Sequence, residues 1–303
     1  MPTWNEVLIE LNTCKRTDAL DFVRRKYLKQ LHEKTGRNTI AYYSGWLQKP
    51  GIGNASICDD DKNGLMATIH GLERDNGLDL ILHTPGGDIA ATESIVYYLK
   101  KMFGNNIRAI VPQIAMSAGT MIACACKDIV MGKQSNIGPI DPQFNGIPVQ
   151  GVLDEFKKAL EEVKKDPDSI PIWQTIVGKY HPTFIGECKN AIAWSEKIVK
   201  AWLKDNMFKG HPDAQEKADR IVEHIGSHED TMTHARHIHI DEAISYGLDI
   251  KSLEDKDVFD DEFQDLVLTV HHAFMHTFGN ANAIRIVENH LGNAVVFNIP
   301  LKA

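Results

Sequence analysis

The sequence predicts an α/β fold, with a parallel sheet, crossover helices and a helical C-terminal annex. Short apolar runs at residues 78–82, 107–111 and 129–131 have the length and composition of buried strands. Residues 90–103 carry apolar side chains at helical spacing, and residues 118–126 form a short apolar segment typical of a buried helix. Because strands and helices alternate, consecutive strands are expected to lie parallel and to be joined by right-handed crossovers.

The elements divide the chain into three predicted parts. Residues 1–36 form an N-terminal helical segment, residues 37–250 the core, and residues 251–303 a C-terminal helical extension. The core begins with a buried strand, and its second half has the pattern of helices over 152–165, 182–208 and 213–226. The extension combines a helix over 261–278 with an edge strand over 294–299.

Composition restricts the classes of function. The chain of 303 residues has a net charge of −8, whereas a nucleic-acid partner requires a basic surface. No apolar run reaches the ~20 residues of a membrane span, and the first residues lack the pattern of a signal peptide. The five cysteines are scattered and odd in number, which indicates reduced thiols. We therefore expect a cytoplasmic protein with no membrane span and no nucleic-acid partner.

The first candidate motif is TPGGD at residues 84–88, directly after a predicted strand. Two consecutive glycines let the backbone turn so that its N–H groups point out of the strand end. Such a turn, at the start of a helix, would stabilise an oxyanion at Gly86 or Gly87. The alternative is a tight strand-to-helix turn that binds no ligand.

The second candidate motif is AMSAGT at residues 115–120, in which Ser117 lies between small residues. It follows a predicted strand and precedes an apolar helix, where a nucleophile would lie at a helix N-terminus. The Ala118 N–H would then complete an oxyanion hole. The motif is not G-x-S-x-G, because Ala115 replaces the first glycine. The alternative is that Ser117 only caps a buried helix.

These two motifs and residues 135–143 (SNIGPIDPQ) resemble, in combination, the Clp-protease/crotonase superfold. Within it, the chain is most similar to the signal peptide peptidase A and serine dehydrogenase proteinase group of serine proteases. Two further blocks, 38–48 (NTIAYYSGWLQ) and 241–248 (DEAISYGL), strengthen the resemblance. It therefore extends over most of the predicted core.

The resemblance implies a catalytic site and a set of partners. It implies Ser117 as the nucleophile and the backbone N–H groups of Gly86, Gly87 and Ala118 as oxyanion donors. It also implies a peptide or protein substrate, no cofactor and assembly into a homo-oligomer. The implied chemistry is acyl transfer, in which an acyl-enzyme forms on the serine and is released by water.

The general base is the point at which the sequence departs from the Clp pattern. A Clp-type triad would place a histidine near residues 140–142, yet no histidine occurs between Ser117 and His181. A serine hydroxyl is a weak nucleophile without an adjacent base. The signal peptide peptidase group uses a Ser–Lys dyad instead, in which desolvation lowers the lysine pKa.

The predicted helix over 152–165 offers four lysines for such a dyad: Lys157, Lys158, Lys164 and Lys165. Lys157 flanks the predicted apolar face, whereas Lys158 points away from it. That face consists of Leu153, Phe156, Leu160 and Val163. Lys157 is therefore the preferred candidate, and the alternative is that all four lysines are solvated.

His234 is the second candidate base, since it lies near the position at which Clp enzymes keep the triad aspartate. A rearranged Ser117–His234 pair, oriented by Asp141, is thus an alternative to the lysine dyad. For Asp141 itself, the preferred role is to brace its loop through hydrogen bonds rather than to take part in catalysis.

The histidines also suggest a metal site, which the sequence does not support. His234, His237 and His239 cluster, and His272 and His276 lie on one helix face. However, no H-E-x-x-H motif is present and no cysteine or carboxylate spacing completes a ligand set. We predict no metal site.

The leading functional hypothesis is an ATP-independent serine peptidase or peptidase-like hydrolase that acts through Ser117. A catalytically inactive Clp-like interaction scaffold is the first alternative, because the general base is not apparent. A crotonase-type acyl-CoA enzyme is the second, since it shares the superfold and the oxyanion geometry. Ser117 in a nucleophile-like position argues against the second alternative.

Overall fold

The computed structural model describes residues 4–144, 146–227 and 233–299. In these residues the helices are α1 (Trp4–Thr13), α2 (Ala19–Thr35), α3 (Asp61–Ile69), α4 (Ile89–Phe103), α5 (Ala118–Cys124), α6 (Val149–Lys165), α7 (Ile170–Val177), α8 (Phe184–Trp202), α9 (Ala214–Gly226), α10 (Ile240–Tyr246) and α11 (Asp261–Asn280). The strands are β1 (Asn38–Ser44), β2 (Leu78–His83), β3 (Ile107–Val111), β4 (Ile114–Ala115), β5 (Asp128–Met131), β6 (Asn136–Ile137), β7 (Gln143–Phe144), β8 (Ile147–Pro148), β9 (Ile238–His239), β10 (Ile250–Ser252), β11 (Ala283–Asn289) and β12 (Ala294–Asn298).

The predicted α/β class with a mostly parallel sheet is confirmed. The main sheet has the order β10-β5-β3-β2-β1-β11-β12, and its strands from β10 to β1 run parallel. Leu80 of β2 lies opposite Ile40 of β1 on one side and Ala109 of β3 on the other. Every residue of β1 and β2 is buried, as expected for parallel strands that helices cover on both faces.

Successive side chains of β2 point to two different helical layers. Leu80 and Leu82 belong to the core cluster that includes residues of α4, α5, α8 and α9. Ile81 belongs to the opposite cluster, where Leu28 of α2 packs with Phe274 of α11. This alternation follows from the two-residue period of a strand. The strand is therefore held from both sides at the point where it leads into residues 84–88.

The region after residue 250 supplies more than the predicted helix and edge strand, because β11 also joins the main sheet. It pairs antiparallel with β1 on one side and with β12 on the other. Strand β11 was not predicted from the sequence, because Arg285 and Glu288 interrupt its apolar pattern. Both charges are buried in pairs: Arg285 Nε lies 2.9 Å from Asp61 Oδ1, and Arg24 Nε lies 2.8 Å from Glu288 Oε2.

The helices α6 to α9 pack partly on each other and partly on the main core. Val149 and Val152 of α6 form a small separate cluster with Cys188 of α8. Val199 of α8 and Ile221 of α9 belong instead to the main core. The helix α8 therefore connects the outer helices to the sheet.

A search of the described helices for membrane spans finds none that is both long and apolar enough to cross a bilayer.

Candidate active site

The two sequence motifs meet through backbone hydrogen bonds at the ends of neighbouring strands. Thr84 follows β2, and Ala115 ends β4; the two residues form an isolated parallel bridge. The Thr84 N–H donates to the Ile114 carbonyl at 3.1 Å, and the Met116 N–H donates to the Thr84 carbonyl at 3.0 Å. The turn at residues 84–88 is thereby fixed against the turn that carries Ser117.

Ser117 has a backbone conformation that is rare for a residue with a side chain. Its φ is 51° and its ψ is −116°, and among the described residues only Asn54 is also a non-glycine residue with positive φ. Strain of this kind clusters at functional sites. Ser117 immediately precedes α5, yet its side chain makes no capping hydrogen bond. A capping role for Ser117 therefore has no support in the structure.

Gly86 is the residue that lets the two turns approach each other. Its φ is +96°, and a β-carbon at this position would lie 2.6 Å from Ser117 Cβ and 2.7 Å from the Met116 carbonyl oxygen. Its N–H donates to the hydroxyl of Thr84 at 3.1 Å. Since that N–H is already bonded, Gly86 serves the close approach, and the structure does not favour the oxyanion role predicted for it.

Gly87 and Ala118 have the free N–H groups that an oxyanion hole needs. In the part of the chain that the structure describes, neither N–H donates a hydrogen bond. Ala118 is the first residue of α5, where backbone N–H groups have no partner within the helix. Gly87 lines the same cavity as Ser117. Two of the three predicted donors thus remain available.

The segment around Ile57 packs against the other side of Gly87. A β-carbon on Gly87 would lie 2.3 Å from the Ile57 carbonyl oxygen, so only glycine fits. The Ile57 N–H donates to the Gly86 carbonyl at 2.8 Å, and Ile57 accepts from the Asp88 N–H at 3.0 Å. These bonds hold the turn open toward the cavity.

The segment around Ile57 is itself held by the buried carboxylate of Asp61. Asp61 accepts hydrogen bonds from the Cys58 N–H at 2.8 Å, the Tyr42 hydroxyl at 2.9 Å and Arg285 Nε at 2.9 Å. Burial raises the pKa of Asp61, and the Arg285 guanidinium offsets this only in part. Neither the carboxylate nor its partners were singled out by the sequence motifs.

His234 and Asp141 line the same cavity as Ser117, and they are hydrogen-bonded to each other. His234 Nδ1 is 2.7 Å from Asp141 Oδ1. A carboxylate can only accept, so Nδ1 carries the proton and Nε2 is left to act as a base. Asp141 is buried, with 2% of its surface exposed, and His234 is partly exposed. Of the candidates weighed from the sequence, this is the pair that lies at the cavity of Ser117.

One cavity of about 540 Å³ joins these groups. Ser117, Gly87, Asp141 and His234 all line it. Its apolar lining includes side chains from α4, α5 and α8, namely Ile89, Met121 and Trp194. The arrangement combines a strained serine, two free N–H groups and an oriented imidazole, which is the set of groups that acyl transfer requires.

A family model described as "ClpP-like SDH-type serine proteinase" matches residues 7–268. The chain belongs to this family. The match extends beyond residues 38–248, which carry the resemblance seen in the sequence. It includes α2 and most of the residues before β11. The family description agrees with the serine and its cavity.

Two relatives are uncharacterized proteins of Methanocaldococcus jannaschii. One is 30% identical over 177 residues, which is 58% of this chain and 55% of the relative. The other is 29% identical over 246 residues, which is 79% of this chain and 77% of the relative. The chain thus spans about half the length of the first relative and about three quarters of the second.

Lys157, the base preferred from the sequence, is exposed on α6 and does not line the cavity around Ser117. A lysine works as a base only when desolvation lowers its pKa. Leu153 and Phe156 of the predicted apolar face do pack against the cluster of Val149, Val152 and Cys188, but Leu160 is 66% exposed. The structure therefore does not bring Lys157 to Ser117.

The segment that carries Asp141 is held by two helices of the second half. The hydroxyl of Ser195 on α8 donates to the Ile140 carbonyl at 3.0 Å. The Ile140 N–H donates to the carbonyl of Ile225 on α9 at 2.8 Å. Ser195 is buried, so this contact is protected from water. The loop is therefore braced by Ser195 and by the backbone of Ile225, in addition to any bracing by Asp141.

Thr120 connects the turn of Ser117 to the same segment. Its hydroxyl donates to the Ala115 carbonyl at 2.8 Å and accepts from the Gly138 N–H at 2.9 Å. Thr120 is fully buried. Thr84 and Thr120 belong to the two sequence motifs, but their contacts were not predicted, and Ser195 was missed altogether. A threonine or serine within a buried helix or turn gives no signal of a long-range contact.

Two histidines beneath the glycine turn are held neutral. His83, directly before Thr84, packs against Trp46 with ring centroids 4.5 Å apart and against His271 at 5.1 Å. Burial lowers the pKa of His83 well below its usual value and lowers that of His271 to about 3.

Of the histidines considered for a metal site, His234 lines the cavity of Ser117, whereas His237, His239, His272 and His276 do not. His237 and His239 are exposed near β9, and His276 of α11 packs on Trp4 with ring centroids 4.0 Å apart. No group of three or more potential metal ligands occurs within the described ranges 4–144, 146–227 and 233–299.

Proposed function

We propose that the protein is a serine peptidase, or a peptidase-like hydrolase, whose catalytic residues are Ser117, His234 and Asp141. The observation that carries the proposal is the 2.7 Å contact between His234 and Asp141 at the cavity that Ser117 lines. Membership of a serine proteinase family supports the same reaction type. The substrate is a peptide or a protein, and the working form is a homo-oligomer.

Each group has a separate role in the reaction. His234 Nε2 takes the proton of the Ser117 hydroxyl as its oxygen attacks the substrate carbonyl. The carbonyl oxygen becomes an oxyanion that accepts hydrogen bonds from the Gly87 and Ala118 N–H groups. Asp141 holds the imidazole in the required tautomer and stabilises its positive charge.

Collapse of the tetrahedral intermediate breaks the bond to the leaving nitrogen. The proton on Nε2 passes to that nitrogen, and the acyl group stays on Ser117 as an ester. Water then attacks the ester with His234 again as the base. The product acid and the free serine result, and no cofactor is needed for any step.

The proposal is tested with a fluorophosphonate probe, which labels serines activated by a base. We expect stoichiometric labelling at Ser117 by peptide mapping, and none in Ser117→Ala. His234→Ala should slow labelling by at least about 100-fold, because the base is lost. Lys157→Ala should label like the unmodified protein, and it serves as the matched control for the competing base.

Three outcomes would count against parts of the proposal. Slow labelling of Lys157→Ala with normal labelling of His234→Ala would reassign the base to the lysine. Labelling of a serine other than Ser117 would show that Ser117 is not the nucleophile. A folded protein that is not labelled would favour the interaction scaffold.

A further inference from the structure

A second cavity lies directly beside the one that contains Ser117. Its volume is about 510 Å³, close to that of the first. The two cavities share four lining residues, of which His234 and Pro85 are two. Ser117 and Gly87 line only the first cavity. The imidazole of His234 therefore borders both cavities, with the nucleophile and an oxyanion donor on one side.

This arrangement gives the two cavities different roles in the proposed reaction. The acyl part of the substrate stays bonded to Ser117, with its carbonyl oxygen near Gly87, and so belongs to the first cavity. The leaving nitrogen receives its proton from His234 Nε2 as the carbon–nitrogen bond breaks. The part of the substrate attached to that nitrogen thus departs on the side of His234, where the second cavity lies.

The lining of the second cavity is mostly apolar. Trp46, Leu47, Ile114 and Met116 supply large apolar side chains. The ring of Trp46 is held in place by its packing on buried His83. No carboxylate or lysine occurs in the described lining. The polar lining consists of Gln143, Thr233, His234 and His237. A charged side chain would lose water there and meet no carboxylate, lysine or arginine among the described lining residues, whereas an apolar side chain would gain by its burial.

We propose that this second cavity is a specificity pocket for the leaving group. It binds the side chain of the residue that follows the cleaved bond and selects large aliphatic or aromatic side chains. The inference rests on the proposed peptidase function, and it adds the substrate class on the amine side of the bond. Leu47, Ile114 and Met116 are its specificity-determining residues.

The new amino terminus created by cleavage reports this selection directly. The protein is incubated with a proteome-derived peptide library whose amines are blocked, and mass spectrometry identifies the new amino-terminal residues. We expect Leu, Ile, Met and Phe together to be enriched about threefold over their library frequency. Asp, Glu and Lys should be depleted.

Leu47→Ala is the variant that connects this preference to the pocket. Leu47 is 43% exposed, so its truncation leaves the fold intact. We expect the enrichment to fall to less than half, while fluorophosphonate labelling of Ser117 keeps its rate, because the probe carries no leaving peptide. Leu160→Ala, at an exposed leucine of α6 that lines neither cavity, is the matched control.

The readouts distinguish failure of the inference from failure of the proposed function. New termini that follow the library composition, with Ser117 labelled, overturn the pocket and leave the peptidase function. Enrichment that Leu47→Ala leaves unchanged also overturns the pocket. Absence of new termini, or absence of labelling at Ser117, overturns the peptidase function and the inference with it.

Discussion

Gly86 and Ser117 pack so closely that a β-carbon on Gly86 would come within 2.6 Å of Ser117 Cβ. The contact explains why the glycine turn and the serine turn depend on each other. Both residues have a backbone conformation with positive φ.

Gly86→Ala is expected to displace Ser117 from its working position. The added methyl group clashes with the serine turn, and the positive φ adds strain of roughly 1–3 kcal/mol. We expect fluorophosphonate labelling to slow by about 100-fold and the midpoint of urea unfolding to fall. Gly151→Ala is the control, since a β-carbon there meets nothing within 4 Å. Normal labelling of Gly86→Ala would show that the contact is not required.

Asp141→Asn tests whether the carboxylate determines which ring nitrogen of His234 carries the proton. An asparagine amide can donate to Nδ1, which moves the ring proton to Nε2 and removes the base. Labelling should then slow by about 10³–10⁴-fold, with little change in the free energy of unfolding. Asp154→Asn is the control, because Asp154 is exposed on α6 and bonds only Gln150 in the described structure. Equal rates in the two variants would limit Asp141 to bracing.

Thr120→Val removes a hydroxyl that bonds both the serine turn and the Asp141 segment, while it preserves the shape of the side chain. The Ala115 carbonyl and the Gly138 N–H lose a buried partner, so the free energy of unfolding should fall by about 1–3 kcal/mol. Labelling should slow as well. Thr120→Ser should restore most of both, and Thr175→Val, at an exposed threonine, should change neither. A loss of stability without slower labelling would show that the Thr120 hydroxyl contributes to stability and not to the reactivity of Ser117.

His271 predicts how stability depends on pH. Its pKa is lowered by burial from 6.5 to about 3, so between these values the unfolded chain binds a proton that the folded protein does not. Stability therefore decreases as the pH falls below about 6.5, by roughly 2 kcal/mol for this group between pH 7.5 and pH 5. Urea unfolding at the two pH values should show a smaller loss in His271→Asn. The exposed His70→Asn should retain the full loss, and parallel behaviour of both variants would contradict the assignment.

The glycine and serine turns could be predicted because their chemistry is local. Two glycines after an apolar strand permit a sharp turn, and small residues on both sides of a serine leave room for a close approach. The buried parallel strands were equally visible, since each is a short apolar run. The sequence also indicated Gly87 and Ala118 as donors, whereas the bond from the Gly86 N–H to Thr84 became apparent only in three dimensions.

The base could not be chosen from the sequence, because its position depends on contacts between distant segments. His234 meets Asp141 across 93 residues of chain, and the intervening helices hold Ile140 in place. Lys157 was preferred on a helical face that included Leu160, but the packing of α6 leaves Leu160 in solvent. Strand β11 was concealed for a similar reason, since its charged residues are buried only by virtue of distant partners.

The pairing of β1 with both β2 and β11 has a consequence for how the protein is made. As the chain leaves the ribosome, β1 can pair with β2 early. The other edge of β1 stays unpaired until residues near 289 have been synthesised. An unpaired edge on a buried strand is a site of aggregation. A chain that stops at residue 280 would retain Ser117, Asp141 and His234, yet would expose that edge. Such a chain should therefore lose activity through aggregation at that edge.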